Sequence, residues 1–256
     1  MKVQNIFKGL LLFALFVSNS IMAKQFKALV FTKTNGWHHE SILDGVQAMR
    51  RLAERHHFDM EWHEDPSRLN AENLKQFDVI VFLSTTGDIF NAEQKRAIEA
   101  FIQSGKGFVG IHSASDTEHN WQWYTKLVGH TFYIHPEIQT ARLKVENKFF
   151  PGLEHLPEQF LWTDEYYEFS EGLNENLNYI LTVDENSYST DAQWGELSAK
   201  GMGDFHPIAW YQQYDGGRSF YTALGHMPAA YQQEIFLNHL YGGVYWAATG
   251  KGMLNQ

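Results

Sequence analysis

The chain has 256 residues, 44% hydrophobic and 15% aromatic, with 13 histidines, no cysteine and a formal net charge of −10 at pH 7. That length and apolar content suit one domain with a large core and exclude a disordered chain. The missing cysteine excludes disulfides, thiolate zinc knuckles, lipidation through an N-terminal thiol and every thiolate mechanism, and the acidic excess argues against nucleic acid or anionic membrane as partner.

Lys2 and Lys8 precede the mostly apolar run 9–17, and the small and polar stretch 18–23 follows. This order of basic, apolar and small-polar segments reads as a secretory signal peptide, and its apolar run is far short of the roughly 20 residues of a spanning helix. Cleavage after Ala23 is predicted, leaving residues 24–256 as a single secreted or periplasmic domain with no membrane attachment.

The elements then alternate. Residues 26–32 read as a first strand with a nearly continuous apolar run, the signature of burial on both faces. Ile42, Val46, Met49, Leu52 and Ala53 recur at helical spacing within 41–55, and His56-His57 reads as that helix's C-terminal end. Strands are predicted at 58–62, 78–83 and 108–112. A helix over 91–104 opens with an Asn91/Gln94 capping box. Aromatic-rich, loop-heavy sequence follows to about residue 200, with strands at 141–145 and 179–183. Strands at 208–213 and 218–224 flank a Tyr214-Asp-Gly-Gly217 hairpin signal, and a helix over 232–241 precedes the tail Gly242–Ala248. The predicted fold class is α/β, an open, mostly parallel sheet with helices on both faces and a C-terminal antiparallel hairpin.

In open α/β sheets ligands bind beyond the carboxyl ends of the strands. The loops predicted there carry Trp37, His38, His39 and Glu40 after the first strand, His112 and Asp116 after the fourth, and His226 after the last. Between them lie His135-Pro136, Thr163-Asp-Glu-Tyr-Tyr167 and His206-Pro207. Each alone has an ordinary explanation, such as a solvated loop, a satisfied core histidine or a helix cap. Three histidine loops at one sheet edge point to a site. Trp121, Trp123 and Tyr124 read better as an inward-packing helix face than as a sugar-binding surface.

Gly36–Ser41, Phe82–Asp88, Gly107–Asp116, Asp164–Tyr167, His206–Tyr211, Gly217–His226 and Gly242–Ala247 resemble the trehalose-utilisation (ThuA-like) family. The likeness runs from Phe26 to Thr249. It implies a class I glutamine amidotransferase-like (flavodoxin-like) fold and a role in the use of trehalose and related disaccharides or glycosides, often beside oxidoreductases that make 3-keto sugars. Amidotransferases place a nucleophilic Cys where this chain has His112, and a Glu two residues after the catalytic His where it has Pro228. Ammonia release through a thioester is therefore excluded.

Two chemical readings of the site stay open. Imidazoles with a carboxylate suit a divalent metal, zinc first, with His39, His112 and His226 as ligands. The same groups also suit metal-free acid/base work. No nucleotide cofactor is expected. His112, Asp116, Glu165 and His226 are the candidate catalytic residues, and Trp37, His38, Glu40, His206, Tyr211 and Arg218 the candidate substrate contacts. The expected partner is a small carbohydrate, probed as a 3-keto-glycoside that an enzyme cleaves or isomerises. The alternatives are a sugar-binding accessory protein without turnover, and a hydrolase using Asp116 and Glu165 as its carboxylate pair.

Overall fold

A computed structural model describes residues 23–170 and 172–254, so the predicted leader, apart from Ala23, lies outside the described residues. The first half follows the predicted alternation. β1 (Lys27–Phe31), α1 (Ile42–His56), β2 (Asp59–His63), α2 (Ala71–Leu74), β3 (Val79–Leu83), α3 (Ala92–Gln103) and β4 (Gly107–Ile111) come in chain order. The five α1 residues at helical spacing are buried, and the helix stops at His57, whose left-handed backbone returns its N–H to the Ala53 carbonyl. Asn91 and Gln94 form the capping box of α3. β3 and β4 are buried at every residue, which accounts for their unbroken apolar runs.

The second half contains α4 (Gln122–Val128), β5 (Phe132–Ile134), β6 (Gln139–Val145), β7 (Gln159–Asp164), β8 (Glu168–Phe169) and β9 (Asn178–Asp184). After them come β10 (Gln193–Trp194), β11 (Leu197–Ser198), β12 (His206–Tyr214), β13 (Gly217–Thr222) and α5 (Glu234–Thr249). Nine strands form one sheet in the order β2-β1-β3-β4-β13-β12-β9-β6-β7. β2, β1, β3, β4 and β13 are mutually parallel, and each later neighbour is antiparallel to the one before. β7 therefore points the same way as β1, β4 and β13. The predicted hairpin is β12–β13, closed by Asp215 and Gly216, both at positive φ as a tight hairpin turn requires. Two small antiparallel pairs, β5–β8 and β10–β11, stand outside the large sheet.

Two expectations are corrected. Residues 159–164 form the edge strand β7 within a stretch predicted as irregular. The last helix also runs on through Gly242 and Gly243 to Thr249 instead of ending at Tyr241. These glycines are close-approach positions: a Cβ on Gly242 would lie 1.9 Å from the Pro151 carbonyl oxygen, and one on Gly243 2.3 Å from the Phe220 ring. Among the described residues no helix is long and apolar enough to cross a membrane.

Candidate active site

Four loops leaving the same sheet edge meet. His39 follows β1, His112 follows β4, His226 follows β13 and Glu165 follows β7. β7 is four strand spacings from β13, roughly 19 Å in a flat sheet. Nevertheless, Asp164 at the end of β7 accepts an N–H from Gly225, just past β13, at 2.9 Å. The antiparallel half must curl back over the edge to bring these ends together, and register shifts at Pro207–Trp210 in β12 are the kind of irregularity that bends a sheet.

His112 sits on a strained turn. Its φ is +52°, unusual for a residue with a side chain, and it opens a 3-10 turn over His112–Asp116. The conformation is pinned from outside: the Tyr221 hydroxyl donates to the His112 carbonyl at 2.7 Å, and the Tyr124 hydroxyl to the Ala114 carbonyl at 2.8 Å. The His112 ring is fully buried, with Nδ1 2.8 Å from the Ala223 carbonyl. A carbonyl only accepts, so Nδ1 carries a proton, and Nε2 faces inward. There it lies 2.8 Å from the Tyr167 hydroxyl and 3.2 Å from His226 Nδ1.

Glu165 ties the histidines together. Its Oε2 is 3.0 Å from His226 Nδ1 and 3.5 Å from His112 Nε2, and its Oε1 is 3.2 Å from His135 Nε2. Burial opposes charge on Glu165, but hydrogen bonds from His112 and His226, followed by the charges of His112 and His135, hold its carboxyl well below the usual range. Burial also opposes protonation of His226, yet Glu165 outweighs it and raises that imidazole's pKa. His39 goes the other way. Its burial, followed by the charges of His112 and His226, pushes it down to about 2. Burial likewise lowers His135, against the pull of Glu165.

One donor atom from each of His39, His112, Glu165 and His226 lies within 4.8 Å of the others, so these are the residues that could hold a metal. Above them opens a cavity of about 430 Å³ lined by Trp37, His39, Asp116, Phe132, His135, Glu165, Tyr167, Trp194 and His226. Asp116 reaches it with one oxygen held by His119 Nε2 at 2.9 Å. Trp37 stands at the mouth, 71% exposed.

The structure thus brings together His39, His112, Asp116, Glu165, His226 and Trp37. Other candidates lie elsewhere. His38 is exposed and bonds Thr34. Glu40 is exposed and reaches His226 only through its charge. His206 is buried behind the wall, its Nε2 donating to the Tyr167 carbonyl at 2.8 Å and its Nδ1 2.8 Å from Glu185. Tyr211 stacks on Phe150 and meets Trp246, and Arg218, at the other end of β13, donates to the Ala247 and Ala248 carbonyls. Asp164, Tyr167 and His135 fall in loop stretches that the sequence singles out without giving them a role, and Phe132 and Trp194 are not picked out. The Asp164–Tyr167 stretch and His135-Pro136 were the available signals for three of them, whereas Phe132 and Trp194 carried none.

Residues 27–247 match the family model described as trehalose utilisation, ThuA. A ThuA-like protein of Bacteroides uniformis superposes with a TM-score of 0.72 at 23% identity, over 91% of this chain and 95% of that one. A second, from Parabacteroides merdae, gives 0.70 at 20% identity over 91% and 93%. A 1,3-beta-galactosyl-N-acetylhexosamine phosphorylase of Lachnoclostridium phytofermentans is 23% identical over 158 residues, which are 62% of this chain but only 18% of the phosphorylase.

Proposed function

The chain belongs to the trehalose-utilisation (ThuA) family, and on that footing we propose that its cavity takes a glycoside or disaccharide in 3-keto form and cleaves it by acid/base elimination. The observation that carries this reading is that Asp116, His39, Glu165 and His226 line one cavity walled by Trp37, Phe132, Tyr167 and Trp194, with the buried His112 directly behind Glu165 and His226. Aromatic faces suit the C–H faces of a pyranose, and about 430 Å³ lies within the usual range for small-molecule sites.

A keto group at C3 acidifies the C2 proton. Asp116 takes that proton, and the electron pair passes into the C3 enolate, whose oxygen faces the donors of the cluster. Return of the pair forms the C1–C2 double bond, restores the ketone and breaks the C1–O bond. Asp116 hands its proton to the departing oxygen and is regenerated.

The test is incubation with oxidised and unoxidised disaccharides in deuterated water. Cleavage confined to the 3-keto sugar, with deuterium entering C2 of unconsumed substrate, is the expected result. Asp116→Asn should slow it about 10²–10⁴-fold. Full turnover by Asp116→Asn and His112→Ala would overturn the assignment. Tight sugar binding without exchange or product would favour a second reading, a sugar-holding accessory unit. The phosphorylase likeness favours that reading in one respect, since it covers a small part of a larger enzyme. Export is part of the proposal: N-terminal sequencing of the extracytoplasmic protein should begin at Lys24.

A further inference from the structure

We propose that His39, His112, His226 and Glu165 bind one divalent first-row transition-metal ion, zinc being the best match, on the floor of the aromatic-walled cavity. This deepens the reading of that cavity, but its test needs no sugar, so either proposal can fail without the other.

The donor spacings are close to those an ion needs. Tetrahedral zinc holds nitrogen and oxygen at about 2.0–2.2 Å, which sets neighbouring donors about 3.3–3.5 Å apart. Three donors lie within about 0.5 Å of that spacing: His112 Nε2 to His226 Nδ1 at 3.2 Å, Glu165 Oε2 to His226 Nδ1 at 3.0 Å, and Glu165 Oε2 to His112 Nε2 at 3.5 Å. No donor pair exceeds 4.8 Å. Closure by His39 therefore asks for an adjustment of about 1.4 Å or less.

The surroundings have the form that orients metal ligands, in which the polar atom facing away from the ion has its own partner. His112 Nδ1 donates to the Ala223 carbonyl, Glu165 Oε1 takes His135, and His39 Nδ1 meets the Ser113 hydroxyl at 3.3 Å. Three imidazoles and one carboxylate suit zinc and its neighbours in the first row, whereas calcium and magnesium take sites dominated by oxygen. His39, Glu165 and His226 also line the cavity, so an ion there would meet the oxygens of a molecule entering it.

The test uses the full mature chain, stripped with a chelator and titrated with Zn²⁺, Co²⁺ or Mn²⁺ against an indicator dye, with elemental analysis of the untreated protein. The expected results are uptake of one ion per chain and binding at least about 100-fold weaker in His112→Ala and Glu165→Gln. His135→Gln, which removes the brace on Glu165 without removing a proposed ligand, should weaken binding about 10–100-fold. The cobalt form should show a visible band that His39→Ala loses. Circular dichroism checks each variant, and the near-isosteric Glu165→Gln decides alone if the others unfold. No stoichiometric uptake of any of the three ions, or uptake that Glu165→Gln leaves unchanged, would overturn the proposal.

Discussion

Asp164 grips His226 by its backbone while the next residue, Glu165, grips it by its ring. Asp164 Oδ1 accepts the His226 N–H at 3.0 Å, and Glu165 Oε2 lies 3.0 Å from His226 Nδ1. The end of the edge strand β7 thereby fixes both the position and the ring orientation of a residue that follows β13.

Asp164 is fully buried and accepts four N–H groups, those of Glu165 and His226 on Oδ1 and those of Gly225 and the Trp162 indole on Oδ2. Asn in its place offers one accepting oxygen and turns an NH₂ toward two donors. Asp164→Asn should therefore lower stability by about 2–4 kcal/mol in a denaturant melt. It should also weaken whatever the cavity binds, although Asp164 does not line it. Wild-type stability in this variant would show that the four bonds are not what holds the loops.

Trp194 sits on the β10–β11 hairpin, its ring edge-on to His135 at 4.5 Å and 6.0 Å from Phe132, across a cavity also walled by Trp37. Both tryptophans are well exposed, so truncating either should spare the fold. We expect Trp37→Ala and Trp194→Ala each to raise the Kd for a bound sugar about 3–10-fold, with the unfolding midpoint unmoved. Unchanged affinity in both, by calorimetry, would remove the aromatic walls from recognition.

The parts legible in the sequence were those where one physical rule dominates. Buried parallel strands such as β3 need continuous apolar runs, and α3 announces itself through Asn91 and Gln94. Histidines at strand ends pointed to one edge because ligand sites favour that edge. β7 was hidden because an edge strand is satisfied by weak alternation, here with only Trp162 and Asp164 buried. Tyr211 and Arg218 misled because sequence places them on the right strands without saying at which end or on which face. Arg218 is the second residue of β13, far from the His226 end, and its guanidinium bonds the last turn of α5. Trp194 lay in a loop whose return to the cavity only the folded chain reveals.

Gly242 and Gly243 offer a test in which two rules oppose each other. Ala in a helix interior is favoured over Gly by about 1 kcal/mol. Here, however, the added methyl would meet the Pro151 carbonyl or the Phe220 ring well inside contact distance. Close packing should win. Gly242→Ala is expected to destabilise by about 3 kcal/mol or more, because its clash is with backbone, and Gly243→Ala by about 1–3 kcal/mol. A rise in melting temperature for either would mean the helix can shift at little cost.

His239, on α5, is fully buried between Phe220 and Phe236, and neither ring nitrogen has a partner. Burial pushes its pKa down from 6.5 to about 3, so the folded protein keeps it neutral where the unfolded chain would protonate it. The unfolded state then binds the extra proton below pH 6.5. The resulting stability is intact above that pH and is lost as pH falls toward 3, at up to about 1.4 kcal/mol per unit. His239→Leu removes both the stranded nitrogens and this proton linkage. It should be about 1–3 kcal/mol more stable than wild type at pH 7.5, with the gap widening by about 2–3 kcal/mol at pH 4.5. Denaturant melts at the two pH values measure this directly. A gap that stays constant would show that His239 reaches water or a partner in the folded state.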